Sequence, residues 1–261
     1  MKFHCISGLP RSGSTLLAAL LRQNPHVHAG ITSPLMSLVC SLLNAMSAKS
    51  EWQHSFDSLK RETVIMGAIQ GYYADVPNEV VFDTNRTWTG KMNLLGRLFP
   101  DAKVICCVRD IPSILESMER LFQKNSDQPS RIFSFDPEIG LYERVGKMMG
   151  ERGLIGLPFH LLKEAYYGER SGNLLLIEYD SLVRKPGEIL KGVYEFIGEE
   201  NWQGHDFEHF SYGEPEFDRG VGVAGLHDVH GPIRATRRPP LLPPDLRKVY
   251  EGAEFWRENR A

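Results

Sequence analysis

The chain has 261 residues, 42% of them hydrophobic and 24% charged, and its 30 basic and 33 acidic side chains leave a formal net charge of −3. These proportions are typical of a soluble globular protein with a sizeable core, and the near balance of charge argues against whole-protein binding to nucleic acid or to an anionic membrane. A local basic pocket for a small polyanion is compatible with them.

The first predicted unit is a strand, a loop and a helix. Residues 3–7 are apolar-rich, residues 8–13 form a Gly/Pro/Ser turn, and residues 14–22 carry strong helix formers. The pattern recurs further along the chain, where residues 80–82 predict a strand and residues 89–98 place leucines at helical spacing.

Two more units follow. Residues 102–108 predict a buried strand that ends at Arg109, and Pro112 then suits the first turn of an amphipathic helix. Residues 174–179 predict the last strand, which precedes a helix with apolar residues at 189–197. Apolar strands that alternate with amphipathic helices indicate an α/β fold, here a central parallel sheet flanked by helices in one domain over residues 1–261.

The loop GLPRSGSTL, residues 8–16, is the most informative segment. It lies between a predicted strand and a helix, where backbone N–H groups and the positive end of the helix dipole converge on an anion. Gly8 and Gly13 have the spacing of a nucleoside-triphosphate loop, but Ser14 stands where that loop has its lysine. Arg11 is the cation of this loop, and it can fork onto a terminal oxyanion. We predict a metal-free phosphate site formed by Arg11, Ser12, Gly13, Ser14 and Thr15; a serine-rich turn without a ligand is the alternative.

A second anion site is predicted where the strand 102–108 ends. Arg109 leaves the carboxyl end of that strand, where open α/β sheets bind their ligands, and Ser117 falls on the second turn of the following helix. An arginine and a hydroxyl that converge there can clamp a phosphate monoester. The alternative is an ion pair between Arg109 and Asp110 or a surface carboxylate.

These landmarks resemble the sulfotransferase family, whose members move a sulfuryl group from 3′-phosphoadenosine-5′-phosphosulfate (PAPS) to an acceptor. The resemblance rests on the loop 8–16, on Arg109 and Ser117 eight residues apart, and on the segment 177–186. It implies a P-loop-like architecture, as in sulfotransferases and nucleotide kinases, a 5′-phosphosulfate at the first loop and a 3′-phosphate on Arg109 and Ser117. It also implies an adenine near Tyr179, adenosine 3′,5′-bisphosphate as product, and no metal. On the residues alone, a tyrosine at a strand end such as Tyr179 is more often a partly buried core residue whose hydroxyl has a hydrogen-bond partner.

Within this superfamily the chain is most similar to bacterial enzymes related to tyrosylprotein sulfotransferases. The grounds are the segment GLPRSGSTLL, Asn24-Pro25, and the residues 97–100, 225–227 and 242–244. This resemblance implies a peptide tyrosine as acceptor, while carbohydrate and small-metabolite acceptors stay open. A homodimer is compatible with it.

Catalysis of sulfuryl transfer depends on positioning, on charge stabilisation and on a base for the acceptor hydroxyl. Arg11 is the candidate for neutralising the transferring group. The glutamate base of tyrosylprotein sulfotransferases is missing, since residues 29–33 read AGITS. We predict Asp83 as the base and Arg86, near the position of the family's catalytic lysine, as a further cation, both facing the cleft. The alternative is an Asp83 that caps the next helix and pairs with Arg86.

Two polar stretches, residues 123–137 and 204–244, are long for simple connections and predict lids or binding loops. The resemblance makes basic residues of the second stretch candidates for closing over the nucleotide: Arg234, Arg237 and Arg238. His227 and His230 of the same stretch are expected to be solvated loop residues.

The sequence also predicts a compartment. The apolar start is broken at Gly8 before a secretory signal develops, and no stretch approaches the roughly 18 to 20 apolar residues of a membrane span. The cysteines lack the C-x-x-C spacing of a zinc or redox site, and Cys106 and Cys107 are expected on opposite faces of a strand. We therefore expect a cytoplasmic protein without a structural metal.

Two other functions are weighed against the sulfotransferase. A P-loop kinase or NTPase needs a lysine near Ser14 and a magnesium carboxylate, and the loop has neither. A non-catalytic nucleotide-binding protein, which keeps the pocket and has lost the base, fits the missing glutamate.

Overall fold

The computed structural model describes residues 1–47, 50–125, 130, 132, 139–235 and 238–257. Within these ranges the principal strands are β1 (Lys2–Gly8), β2 (Val27–Ala29), β3 (Val80–Thr84), β4 (Val104–Val108) and β5 (Leu174–Glu178). They form one parallel sheet in the order β2-β3-β1-β4-β5. Two short strands, β6 (Ser211–Tyr212) and β7 (Val229–His230), pair antiparallel outside it.

Helices cover the sheet. In the described part of the chain they are α1 (Ser14–Leu21), α2 (Leu35–Ala45), α3 (Ser58–Tyr72), α4 (Met92–Leu98), α5 (Ile111–Lys124), α6 (Leu141–Met149), α7 (Gly156–Tyr167), α8 (Tyr179–Arg184), α9 (Pro186–Ile197), α10 (Pro215–Val221) and α11 (Pro244–Tyr250). Short 3-10 turns occupy Gln53–Ser55, Trp88–Lys91, Ser171–Asn173 and Phe255–Arg257.

The sheet separates two apolar cores. On one face Phe3, Cys5 and Cys106 pack with buried residues of α2, α3, α4 and α7. On the other face Ile6 and Cys107 pack with α1, α8 and α9. Successive side chains of a strand point to opposite faces, and the expectation for Cys106 and Cys107 is confirmed. The α/β fold class, with its parallel sheet flanked by helices, is confirmed as well.

Helix ends follow local sequence. The Asp110 side chain caps α5 by accepting a hydrogen bond from the Ser113 N–H at 2.9 Å, and Pro112 lies in the first turn. Helix α9 likewise begins at Pro186 and ends before Gly198, whose φ of 74° is the left-handed conformation that favours glycine. The first cap sets where α5 begins after β4, and Gly198 sets where α9 ends.

Several boundaries differ from the sequence prediction. Tyr179 begins α8 instead of ending β5, and the segment 89–98 starts as a 3-10 turn before α4. The stretch 204–244 contains β6, α10 and β7. Of the stretch 123–137, residues 126–129, 131 and 133–137 lie outside the described residues. Over the described ranges, no helix combines the length and the apolar character that crossing a bilayer requires.

Candidate active site

A cavity of about 970 Å³ opens where β1, β3, β4 and β5 end. Its described lining includes three carboxylate side chains, Glu116, Asp180 and Asp228, against seven arginines: Arg11, Arg86, Arg109, Arg120, Arg234, Arg238 and Arg247. The carboxyl ends of parallel strands are the usual ligand edge of an open α/β sheet. The excess of guanidinium groups suits a ligand with several negative charges.

The loop after β1 has an unusual backbone that the sequence explains. Gly8 and Gly13 have φ values of 132° and 100°, and Arg11 adopts a φ of 57°. A Cβ on Gly8 would lie 2.2 Å from the Cys107 carbonyl oxygen, so a side chain is excluded there. The buried Ser12 hydroxyl donates to the Cys107 carbonyl at 2.7 Å and also contacts the Leu9 carbonyl. Ser12 therefore fastens the loop to β4, and its hydroxyl is already used.

The start of α1 presents free donors to the cavity. Gly13 is the N-cap and offers no side-chain cap, and the amides of Ser14, Thr15 and Leu16 donate to no other described backbone carbonyl outside regular elements. The first turn of an α-helix has no partner for these amides within the helix itself. Gly13, Ser14, Thr15 and Leu16 all line the cavity. Unpartnered amides at the start of a helix form a geometry that can hold an anion.

Arg11 lies at the meeting point of the predicted sites. Its Nε donates to the Ser117 hydroxyl at 3.2 Å, and its Nη1 donates to the Leu226 carbonyl at 2.5 Å. Its own backbone carbonyl faces Arg109 Nη1 at 3.4 Å. Burial, and then the charge of Arg109, lower the pKa of Arg11, while Tyr179 opposes the shift. Arg11, Arg109 and Ser117 therefore share one cavity.

Arg109 and Tyr179 form a stacked pair in this cavity. The guanidinium carbon lies 4.2 Å from the centroid of the Tyr179 ring, which is a cation–π distance. Arg109 Nε is buried and has no hydrogen-bond partner among the described residues. Asp110 caps α5, so the alternative pairing of Arg109 with Asp110 does not form. A buried guanidinium N–H without an acceptor is a donor available to a ligand.

Asp83 does not face the cleft, contrary to the expectation for a base. Its carboxylate has no exposed surface and accepts hydrogen bonds from Tyr73 Oη and Trp88 Nε1, each at 2.6 Å, and from the Ser33 hydroxyl. Burial raises the pKa of Asp83, and the hydrogen bonds from Ser33, Tyr73 and Trp88 oppose that shift. Asp83 is also absent from the cavity lining, whereas Thr84 and Asn85 belong to it. The side chain of Asp83 points into the core because strand residues alternate.

Arg86 does reach the cavity. It lines the cavity and makes no ion pair with Asp83, since all three polar contacts of that carboxylate go elsewhere. The Arg86 carbonyl accepts a hydrogen bond from the Ser7 hydroxyl at 3.0 Å, which ties the residue to β1. Desolvation by the surrounding walls lowers the pKa of its guanidinium. A second cavity of about 380 Å³ shares Arg86 with the first.

The structure adds a histidine and aspartate pair that the sequence does not predict. His227 lines the cavity, and its Nδ1 lies 2.5 Å from Oδ1 of Asp218, a carboxylate that is 1% exposed. The His227 backbone N–H donates to the other oxygen of Asp218 at 3.0 Å. The turn that brings the two together uses left-handed Gly222 and Gly225. Those two glycines are the one local signal for the contact, and they do not specify its geometry.

Of the other candidate residues in the stretch 204–244, all but one are described by the structure. His230, Arg234 and Arg238 line the cavity, and His230 Nδ1 lies 3.0 Å from the Ser211 hydroxyl. Arg237 lies outside the described residues.

The chain matches a family model described as "Sulfotransferase family" over residues 5–204. It is 28% identical over 120 residues to "Protein-tyrosine sulfotransferase 1" from Mus musculus, and equally to "Protein-tyrosine sulfotransferase 2" from Gallus gallus. Each alignment covers 43% of this chain and 32% of the relative. The chain thus matches about a third of the length of these curated relatives.

A solved structure described as a sulfotransferase from Alicyclobacillus acidocaldarius has a similar fold. The superposition has a TM-score of 0.55 and covers 84% of this chain and 89% of the other, at 14% sequence identity. At that identity the likeness concerns the arrangement of the sheet and its helices.

Proposed function

The chain belongs to the sulfotransferase family, and from that premise we propose that it moves a sulfuryl group from PAPS to an acceptor hydroxyl. One observation carries the proposal. Arg11 with the first turn of α1, and Arg109 with Ser117, lie in a single arginine-rich cavity. Two anion sites in one cavity suit a nucleotide that carries phosphate groups at both its 3′ and 5′ positions.

The chemistry of the donors fits this cosubstrate. The unpartnered amides at the start of α1, together with the hydroxyls of Ser14 and Thr15, would bind the 5′-phosphosulfate. The free Nε of Arg109 and the hydroxyl of Ser117 would bind the 3′-phosphate. Tyr179, stacked on Arg109, offers an aromatic surface for the adenine. Bound PAPS supplies an activated sulfuryl group with a phosphate leaving group.

The protein's part in the reaction is charge stabilisation and positioning. Negative charge grows on the leaving 5′-phosphate as its bond to sulfur lengthens, and Arg11 is part of the loop that would hold that phosphate. Arg86 supplies a second cation on the β3 side of the cavity. Arg234 and Arg238 would cover the nucleotide from the late segment.

We further propose that residues 1–261 act as one sulfotransferase domain. The family match ends at residue 204, yet Phe217, His227 and Arg238 line the same cavity as Arg11. The site therefore draws on residues from both sides of that limit.

The cysteines of the described chain are free thiols, which supports a reducing compartment such as the cytoplasm.

For the acceptor we propose a peptide tyrosine. The support is the similarity of 120 residues to proteins named protein-tyrosine sulfotransferase. The excess of arginines in the cavity lining also suits an acidic peptide. Carbohydrates and small metabolites are the other acceptors that the assay below distinguishes.

Binding and transfer test the proposal separately. Calorimetry should detect adenosine 3′,5′-bisphosphate with equal affinity in magnesium and in EDTA. Incubation with ³⁵S-labelled PAPS should then label one class in a panel of acidic tyrosine peptides, phenols and sugars. Binding of the bisphosphate without any transfer would indicate the non-catalytic alternative, and magnesium-dependent ATP binding without bisphosphate binding would overturn the proposal.

Arg11→Ala provides the matched variant. The loss of one preorganised cation typically costs about 100-fold to 1,000-fold in turnover, and the exposed Arg184 of α8 provides the control substitution Arg184→Ala. Full turnover in a folded Arg11→Ala protein would remove Arg11 from the mechanism.

A further inference from the structure

The pair formed by His227 and Asp218 has the geometry of an oriented imidazole. Nδ1 lies 2.5 Å from one carboxylate oxygen, and the same carboxylate accepts the backbone N–H of His227 at 3.0 Å. The Asp218 carboxylate, on α10, makes both contacts, one to the ring of His227 and one to its backbone. The orientation of the imidazole is therefore fixed relative to the cavity.

The hydrogen-bond pattern determines which nitrogen is free. A carboxylate oxygen only accepts, so Nδ1 of His227 carries the proton and Nε2 carries the lone pair. Nε2 has no hydrogen bond to any described residue, and the side chain of His227 is 17% exposed within the cavity wall. An imidazole with a carboxylate behind it and a lone pair in front is the arrangement of a general base.

His227 is also next to the proposed reaction centre. The carbonyl of its neighbour Leu226 accepts a hydrogen bond from Arg11 Nη1 at 2.5 Å, which places the late loop directly on the loop after β1. The charges of Arg11 and Arg86 both act on His227. By contrast, the Asp83 carboxylate is enclosed by Ser33, Tyr73 and Trp88.

The surroundings keep His227 neutral at neutral pH. Burial lowers the pKa of His227, Asp218 opposes that shift by its hydrogen bond and charge, and the cations Arg11 and Arg86 lower it again. The net direction is downward from the ordinary value of 6.5. A base must be unprotonated to act, so this environment favours the active form.

We propose that His227 is the general base of sulfuryl transfer and that Asp218 positions it. This inference rests on the proposed function. Nε2 takes the proton from the acceptor O–H as the acceptor oxygen forms its bond to sulfur. The bond from sulfur to the 5′-phosphate oxygen breaks, its electron pair stays on that oxygen, and adenosine 3′,5′-bisphosphate leaves. The imidazolium then returns the proton to solvent.

His227→Asn is the deciding variant. The asparagine amide can still donate to Asp218 where Nδ1 does, so the loop keeps its tie, but nothing replaces Nε2. The control is His209→Asn, because His209 also pairs with an aspartate, Asp206, at 3.6 Å, yet its side chain is 88% exposed. Both variants should bind adenosine 3′,5′-bisphosphate within about threefold of the unmodified protein, since neither changes a phosphate-binding group.

Transfer of ³⁵S from PAPS to the best acceptor of the panel is then measured from pH 5 to pH 9, with sulfate release to water as a second readout. General bases contribute roughly 100-fold to 10,000-fold, so His227→Asn should lose at least about 100-fold in kcat with little change in KM for PAPS. The unmodified protein should lose activity below the lowered pKa of His227, and the variant should lack that acid limb. Asp218→Asn should lower kcat and shift the pH at which activity is lost on the acidic side.

Histidine NMR gives a readout that needs no acceptor. The imidazole signal that disappears in His227→Asn should show protonated Nδ1 and unprotonated Nε2 at pH 7. Adenosine 3′,5′-bisphosphate should shift this signal and raise its pKa, because the 5′-phosphate adds negative charge nearby. A signal that ignores the bisphosphate, or a His227→Asn protein with full turnover and the acid limb intact, would overturn the inference. An unmodified protein that neither binds the bisphosphate nor transfers sulfate would instead refute the proposed function.

Discussion

Three donors surround the Asp83 carboxylate, and they give it a part in stability. Ser33, Tyr73 and Trp88 all direct an O–H or N–H to its oxygens in the core beside β3. A carboxylate at the end of a strand looks like a candidate base in sequence, since the sequence does not reveal which face of the strand it occupies. Its neighbours Thr84 and Asn85 line the cavity while Asp83 is buried.

The Asp83→Ala variant should therefore unfold more easily, while the folded variant should still transfer the sulfuryl group. Each buried donor left without an acceptor costs about 1 to 3 kcal/mol, so the free energy of unfolding should fall by roughly 3 kcal/mol or more. Urea unfolding measures this loss, with the exposed Asp75→Ala as the control. Transfer by the folded variant at low temperature should stay within about threefold of the unmodified protein. A stable variant without transfer would restore Asp83 as a candidate base.

His4 makes stability depend on pH. It is 3% exposed in β1, its Nδ1 accepts the Lys103 N–H at 3.1 Å, and its Nε2 is buried without a described partner. Burial lowers the pKa of His4 from 6.5 to about 4. The unfolded chain therefore binds the proton first as the pH falls, and stability is complete above pH 6.5 and lost progressively toward pH 4.

Urea unfolding at two pH values tests this link. Between pH 7 and pH 5 the unmodified protein should lose about 2 kcal/mol through His4. His4→Gln keeps an acceptor for Lys103 but has no proton to gain, so its stability should fall by that much less over the same interval. His209→Gln, at an exposed histidine, is the control substitution. Equal slopes for all three proteins would contradict the assignment.

At the scale of elements, the loop between β1 and α1 depends on Gly8. Its φ of 132° is a glycine conformation, and the Cys107 carbonyl lies where a Cβ would be. Gly8→Ala should lower the free energy of unfolding by about 4 kcal/mol or prevent folding, since it adds a clash to backbone strain. Gly67 lies in the middle of α3, where an added Cβ would meet nothing within 4 Å, and it should respond in the opposite sense.

Gly67→Ala is expected to raise stability by roughly 0.5 to 1 kcal/mol, because alanine has the higher helix propensity. Thermal unfolding of the two variants side by side gives the comparison. A harmless Gly8→Ala would show that the loop can relax away from β4.

The features that could be predicted from the sequence are those that neighbouring residues determine. The strand, loop and helix around Gly8 follow from periodicity and from turn residues within a few positions, as do the strand end at Arg109 and the helix that carries Ser117. That these two residues would hold one 3′-phosphate is what the resemblance to the sulfotransferase family implies. The face that Asp83 occupies depends on packing of the whole sheet. The contact of His227 with Asp218 depends on how the chain returns after α10, which polar composition alone does not specify.

At the scale of the molecule, the proposed nucleotide would join β1, β4 and the late segment through one cavity. A ligand that binds only the folded state adds about 2.7 kcal/mol of stability at 100 times its Kd. Adenosine 3′,5′-bisphosphate at that concentration should therefore raise the unfolding midpoint in urea. AMP, which lacks the 3′-phosphate, should stabilise much less at the same concentration.

Arg109→Ala should reduce the difference between the stabilisation by adenosine 3′,5′-bisphosphate and the stabilisation by AMP. The reason is that a hydrogen bond to a charged group is worth about 1.5 to 3 kcal/mol. Arg184→Ala should preserve the full difference. Equal stabilisation of the unmodified protein by AMP and by the bisphosphate would argue against a 3′-phosphate site on Arg109.

The placement of the thiols has a practical consequence for such measurements. Cys5, Cys106 and Cys107 have no exposed surface, and burial raises the pKa of each, to about 12 for Cys107. Cys40, in α2, is partly exposed. Maleimides react with accessible thiolates, so the unmodified folded chain should take up one fluorophore, at Cys40, and four after denaturation. Mass spectrometry of the labelled protein would count them, and a single dye at Cys40 would then follow unfolding without any engineered cysteine.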